Sequence, residues 1–291
     1  MPELPEIEAL RRYLLREGLV GRTVVEVDAD WPGVENTVDG TGGLSPLVGR
    51  RIEGIERRGK QLILPLGAAP APITPALPHR GERGPNNGPH RALGLHMGMT
   101  GRLGVMAPDE ESFRYRRLSL FFDDERRLEL DDVRRWAMVR LEDDPEAFTG
   151  GMGPDALDPE FTPAEFVERV SAKRSPIKSV LLDQKVLAGV GNIYADEALL
   201  MVGITPSRRA DRISAIRLES LHNTIVGVLE NALAFIESHP DYQGRPYVID
   251  THDDRMQITR KQGASCPQCE TAIKARKFGG RTAYYCPSCQ H

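Results

Sequence analysis

Two groups of residues in this 291-residue chain have types and spacings suited to chemistry. Cys266-x2-Cys269 and Cys286-x2-Cys289 lie near the C-terminus with 16 residues between the pairs, and the rest of the chain has no cysteine. Four thiolates at this spacing complete a tetrahedral shell and leave no open position, so one structural Zn2+ holding a small β hairpin is expected. Confinement of all four cysteines to the tail argues against a disulfide framework. The second group is Pro2-Glu3-Leu4-Pro5-Glu6. Removal of Met1 would expose the secondary amine of Pro2. An α-amino group of pKa about 7.7–8.0 is partly neutral near pH 7, so it can attack an electrophilic carbon and form an iminium electron sink. Glu3 beside it and Glu6 one turn on are placed to move protons. The bland alternative is a proline and two acids opening a helix.

Charge distribution says more than total charge. The net charge is -4 and the pI about 6.0, which alone argues mildly against a phosphate-rich partner. From Arg255 onward, however, there are seven basic residues and one acid, with Phe278, Tyr284 and Tyr285 among them. Residues 141 to 170 carry nine acids and only Arg169 as a base. A basic, aromatic-bearing tail on an acidic body is the pattern of a phosphate-binding face, and a solvated basic surface is the alternative.

These groups need elements to position them. Ile7, Leu10 and Leu14 predict a helix over 2–17. β-rich runs follow at Thr23–Asp28, Arg51–Leu66, Leu93–Met106, Arg117–Phe122, Arg127–Leu130 and Ala137–Leu141, which suggest a sandwich or barrel. The segment Gly67–Arg91, with six prolines, predicts a mobile loop. Helices are expected after a Thr162 cap, over Ile177–Gln184, over Asn192–Val202 and over Ile213–Ile236. Ala188-Gly189-Val190-Gly191-Asn192 joins two of these, and its Gly-x-Gly follows a helix, unlike a dinucleotide fingerprint. Thr282–Tyr285 reads as a strand between the cysteine pairs. The start lacks an apolar signal-peptide core, and the uncharged stretch Gln61–Pro78 holds five prolines, so a cytoplasmic protein without a membrane span is expected.

Five motifs stand in a distinctive order: Met1-Pro2-Glu3-Leu4-Pro5-Glu6, Arg57-Arg58-Gly59-Lys60, His96-Met97-Gly98-Met99-Thr100-Gly101, Leu181-Leu182-Asp183-Gln184 through Gly189-Val190-Gly191-Asn192-Ile193-Tyr194, and the terminal cysteine hairpin. In this the chain resembles the formamidopyrimidine-DNA glycosylase/endonuclease VIII family, closest to its formamidopyrimidine branch, over nearly its whole length. The resemblance implies an α+β multidomain fold: an N-terminal helix on a β-sandwich (1–146), a helix-two-turn-helix domain (147–237), and a lesion-loop segment with a zinc-finger β hairpin (238–291). It implies Pro2 as the nucleophile at C1′ of a damaged nucleotide, Glu3 as the acid that protonates the opening sugar, Lys60 as a phosphate ligand that assists β-elimination, and Arg281 as the finger arginine tied to δ-elimination. Met99, Arg134 and Trp136 correspond to the trio that fills the void left by an extruded base. Asn192, Lys173 and Arg174 correspond to backbone contacts.

Departures from the family pattern are local. Val133-Arg134-Arg135-Trp136-Ala137 replaces the usual Pro-Arg-Arg-Phe-Gly, which enlarges the wedge. Tyr115, within Arg114-Tyr115-Arg116-Arg117, stands near where the family often has a histidine, and is expected to contact DNA. Ser238–Met256 occupies the lesion-loop position with its own sequence, and the 67–91 insertion is atypical. The expected activity is a bifunctional glycosylase and AP lyase for oxidised purines, acting on damaged double-stranded DNA as a monomer. The runner-up is an endonuclease VIII-like enzyme for oxidised pyrimidines. A reading from another class is a non-catalytic zinc-ribbon DNA-binding protein.

Overall fold

A buried stripe of Leu4, Ile7, Leu10 and Leu14, each at most 1% exposed, makes the first helix, α1 (Leu4–Arg16). Burying each such side chain contributes about 1.5–3 kcal/mol. The computed structural model describes residues 2–29, 44–67, 91–246 and 256–291. The helix begins at Leu4, two residues later than its sequence pattern suggests. The Glu3 amide is instead taken by the Glu6 carboxylate at 2.7 Å, one half of a capping box.

Among the described residues eight strands follow: β1 (Val24–Ala29), β2 (Glu56–Arg58), β3 (Gln61–Leu66), β4 (Arg91–His96), β5 (Arg102–Met106), β6 (Arg116–Phe122), β7 (Arg127–Asp131) and β8 (Met138–Glu142). They form two four-stranded sheets, ordered β1-β6-β7-β5 and β2-β3-β4-β8. The run expected over Arg51–Leu66 is therefore broken by a turn at Gly59-Lys60, and Leu93–Met106 by a turn at 97–101. In the second case the two halves enter different sheets, β4 pairing with β8 and β5 with β7. The chain crosses between sheets again from β7 to β8, so two crossovers carry Met99 and Arg134–Trp136. The loop expected over 67–91 lies almost wholly outside the described residues, as do 247–255 of the Ser238–Met256 segment.

The chain forms two compact units. One comprises Met1–Pro2, Leu10–Arg57 and Gln61–Gly150, the other Glu3–Ala9, Arg58–Lys60 and Gly151–His291. In the first, the Tyr13 hydroxyl accepts a hydrogen bond from the Val105 amide at 2.9 Å, tying the second half of α1 to β5. In the second lie α2 (Pro163–Ser171), α3 (Ile177–Leu182), α4 (Asn192–Met201) and α5 (Ala215–Ser238). Thr162 caps α2 by accepting from the Glu165 amide, as expected. The third helix stops at Leu182 rather than Gln184, because the Gln184 side chain turns back to bond Leu182 O, Val190 O and the Gly189 amide. The long helix starts two residues late, at Ala215, after Ser214 in extended conformation.

The tail folds as β9 (Lys274–Phe278) and β10 (Arg281–Tyr285), an antiparallel hairpin turned at Gly279-Gly280, so Arg281 stands at its tip. Leu200 of α4 packs with Ile258, Ile273 and two of the cysteines into a small core. Among the described residues, no helix is long and apolar enough to cross a membrane.

Candidate active site and nucleic-acid surface

In the second unit the start of the chain meets the turn before α4. The Leu4 amide donates to Gly189 O at 3.2 Å, and Glu3 Oε1 accepts from the Ile193 amide at 3.0 Å, in the first turn of α4. Gly191 makes this approach possible, since a Cβ there would sit 2.2 Å from the Glu3 carboxyl carbon. Glu3 is fully buried, and its second oxygen, Oε2, has no partner among the described residues. Glu6 is held from both sides, by the Glu3 amide and by the Tyr194 hydroxyl at 2.5 Å. Pro2 is buried and linked to Glu3 by its own peptide bond.

Lys60 follows Gly59, whose amide donates to Asp155 Oδ2 at 2.7 Å. Burial pushes the Lys60 ammonium below the ordinary lysine range. Glu3 and Glu6 pull it back up, and Arg281 adds to the lowering. An amine in this setting is more readily neutral than a surface lysine, and so more available to accept a proton.

Asn192 does not cap α4. Gly191 holds the cap position, and the Asn192 side chain donates to Thr282 O at 2.9 Å, next to Arg281 on the hairpin. The Asn192 side-chain oxygen is buried without a partner among the described residues. Beneath it lies a cluster that sequence reading missed. The fully buried Lys178 ammonium donates to Asp196 Oδ1 at 2.6 Å and to Asn192 O at 2.7 Å. Arg260 bonds Asp196 Oδ2 at 2.6 Å, and the Tyr284 amide bonds the same oxygen at 3.2 Å. Burial pushes Lys178 down and Asp196 up, each toward its neutral form. Lys173 and Arg174 are exposed at the α2–α3 turn.

The four cysteine sulfurs all lie within 4.8 Å of one another. The separations are 3.9 Å for Cys266 and Cys289, 3.5 Å for Cys269 and Cys286, and 3.2 Å for Cys269 and Cys289. These exceed a disulfide bond of about 2.05 Å and suit sulfurs sharing one ion. Hydrogen bonding with Thr271 holds the Cys269 thiol down to about 6, whereas Cys269 beside it pushes the Cys289 thiol up and burial pushes Cys286 up. The donor set fits one zinc ion with no open position.

In the first unit, Trp136 is 57% exposed and Arg134 lies over its ring, 6.0 Å from the centroid. An Arg134 guanidinium nitrogen is 3.6 Å from the Met99 sulfur, so the two crossovers bring the sequence-expected trio together. Tyr115 is exposed, with Arg114 over its ring.

Comparison with known proteins agrees along the whole chain. The formamidopyrimidine-DNA glycosylase N-terminal domain matches residues 1–139, the formamidopyrimidine-DNA glycosylase H2TH domain 152–240, and the zinc finger found in FPG and IleRS 265–291. The chain belongs to the formamidopyrimidine-DNA glycosylase family. Formamidopyrimidine-DNA glycosylase of Chloroflexus aggregans is 34% identical, covering 100% of this chain and 98% of the relative. That of Geobacillus kaustophilus is 31% identical, covering 100% of both. Lactococcus lactis Fpg (MutM) in complex with an N7-benzyl-Fapy-dG containing DNA superposes with a TM-score of 0.79 at 27% identity, over 99% of each chain. MutM in complex with carbocyclic 8-oxo-G containing DNA gives the same TM-score, identity and coverage. The family's fold and zinc finger thus match the expectations from sequence, and the four cysteines cluster as a set that could hold one zinc ion.

Proposed function

We propose that this protein is a bifunctional DNA glycosylase and AP lyase of base excision repair, acting on damaged double-stranded DNA and removing oxidised purines such as 8-oxoguanine and formamidopyrimidines. The observation that carries this reading is Glu3: a buried carboxyl group fixed by a helix amide through one oxygen, with the other lacking a partner among the described residues, next to Pro2 in the chain. With Met1 removed, the Pro2 nitrogen bonds to C1′ as the damaged base departs. The nitrogen gives up its proton on bonding, and Glu3 in its protonated form delivers a proton to the sugar ring oxygen as the C1′–oxygen bond breaks, the nitrogen lone pair completing the iminium. Glu6 and Tyr194 hold the start of α1 so that this proton path stays short. Lys60 and Asn192 bind backbone phosphate, with Lys60 assisting removal of the C2′ proton in β-elimination. Arg281 holds phosphate through δ-elimination. Met99, Arg134 and Trp136 occupy the space left by the extruded base, with Arg134 hydrogen-bonding the orphaned partner. Lys173, Arg174 and Tyr115 add backbone contacts.

The zinc ion is structural and takes no part in bond making. The protein acts as a cytoplasmic monomer, with a catalytic domain over 1–146, a helix-two-turn-helix domain over 147–237, and a lesion-loop and finger region over 238–291. Borohydride reduction in the presence of abasic DNA tests the chemistry: a covalent adduct is expected from the chain lacking Met1 and is lost in Pro2→Gly. No adduct from that chain would exclude the lyase. A cleavage panel of 8-oxoguanine and oxidised pyrimidine duplexes, each opposite all four bases, tests the lesion class, and exclusive cleavage of pyrimidine lesions would overturn it.

A further inference from the structure

The two crossovers of the first unit converge on one carboxylate. Asp132 is fully buried. Its Oδ1 accepts from the Thr100 hydroxyl at 2.5 Å and from the Arg134 amide at 3.1 Å. Its Oδ2 accepts from the amides of Trp136 at 2.6 Å and Ala137 at 2.8 Å. The backbone of the same residue reaches a third segment, since the Asp132 amide donates to Tyr115 O at 3.0 Å and its carbonyl accepts from Arg117 Nε at 2.9 Å. Gly98 lets the crossovers touch along their backbones, since a Cβ there would meet the Trp136 carbonyl at 2.4 Å.

Closing the 132–137 loop on itself needs only the three amide donors. The Thr100 hydroxyl is different, because it comes from the other crossover, one residue after Met99. Around this anchor the side chains point into solvent: Val133, Trp136 and Met138 are each about half exposed or more. Arg135, inside the loop, holds a left-handed backbone at φ 58° although it is not glycine. An exposed apolar wedge in a strained loop is worth building only if it is presented in a fixed shape to a partner.

We propose that Thr100 and Asp132 are positioning residues that lock Met99 to Arg134 and Trp136, so that the three side chains enter the duplex as one body. This rests on the void-filling role assigned to the trio above. Thr100→Val removes the tie between crossovers and keeps the shape of the side chain. Thr100→Ser keeps the hydroxyl and is expected to restore the tie. Asp132→Asn sets an amide donor against backbone donors, and so loosens the loop more severely.

The test compares two activities of the full-length protein: single-turnover excision from a lesion-bearing duplex, and borohydride trapping on single-stranded abasic DNA, where no base stack remains to be wedged. Thr100→Val is expected to lower the first about tenfold, the loss of one hydrogen bond to a charged group, and to leave the second unchanged. Thr100→Ser should return the ratio of the two to that of the unsubstituted chain. A ratio in Thr100→Val within about twofold of that chain, whether both activities persist or both fall, would overturn the proposal. A second readout needs no substrate. The chain has two tryptophans, so Trp31→Phe leaves Trp136 alone, and its fluorescence anisotropy should fall in Thr100→Val and recover in Thr100→Ser. Absence of trapping by the unsubstituted chain would sink the lyase reading instead, and the anisotropy would still judge the pair.

Discussion

Asp132 in the first unit and Glu3 in the second are both carboxylates with no exposed surface, and both are held by backbone amides. They differ in how many of their oxygens the protein uses. Asp132 has four donors on two oxygens, three of them from its own loop. Glu3 has one donor on Oε1, and Oε2 is left without a partner among the described residues. A buried polar atom without a hydrogen bond costs about 1–3 kcal/mol, so such an atom persists where a ligand or a reaction completes it. Saturation turns a charge into scaffold, whereas an open oxygen keeps it reactive. Glu6, occupied by Tyr194 and by the Glu3 amide, falls on the scaffold side of this line although it sits one turn from Glu3.

The largest effect that would break this contrast is at Glu3. Glu3→Gln keeps an oxygen for the Ile193 amide and removes the proton-transfer capacity. Base excision is therefore expected to fall about 10²- to 10⁴-fold while the thermal midpoint and duplex affinity stay near those of the unsubstituted chain. Stopped assays of excision alongside a melting curve separate the two. A variant that excises normally would show that the open oxygen has no catalytic use.

The Asp196 cluster tests the scaffold side. Lys178 and Arg260 share this one carboxylate, with side chains 0% and 17% exposed respectively. Asp196→Ala leaves both cations without their counter-charge, which is expected to destabilise the second unit by about 3–5 kcal/mol. Urea unfolding with zinc present measures it. Because Tyr284 and Thr282 of the finger strand are anchored to Asp196 and Asn192, the variant should also release zinc more readily to a chelator. A stability loss near zero would mean that the cluster is not holding the finger to α4.

What the sequence made legible follows the same division. Residues whose role is chemical announce themselves by type: four cysteines in two close pairs, a proline beside an acid, a lysine after Arg57-Arg58-Gly59. The apolar stripe of α1 and the Thr162 cap are local patterns, and local reading finds them. Asp132, Asp196 and Lys178 carry no such signal, because their meaning depends on partners 14 to 88 residues away. The split of 93–106 between two sheets is invisible for the same reason. Alternation of apolar residues continues through Met97–Gly101, and only the pairing of β4 with β8 and β5 with β7 reveals the crossover. The end of α3 shifted because the Gln184 side chain, outside the helix, takes the Leu182 carbonyl and ties it to the following turn.

The smallest expected effect is a displacement on the pH axis, and it joins the finger to the acid site. Burial is the main cause of the lowered Lys60 pKa, the Arg281 cation adds to it, and Glu3 and Glu6 oppose it. Arg281→Ala removes one lowering influence, so the Lys60 pKa rises toward the ordinary lysine value of 10.5. The neutral amine then appears at higher pH, and the limb of the elimination rate that needs it moves in the alkaline direction. Stability moves consistently. A lysine that binds its proton less tightly when folded makes the chain gain stability as pH rises from the folded pKa to the unfolded one, and Arg281→Ala narrows that window. Elimination from a preformed abasic duplex, followed as a function of pH at fixed ionic strength, reads the displacement directly. A limb that stays in place, or moves toward acid, would mean that Arg281 and Lys60 do not share one electrostatic site.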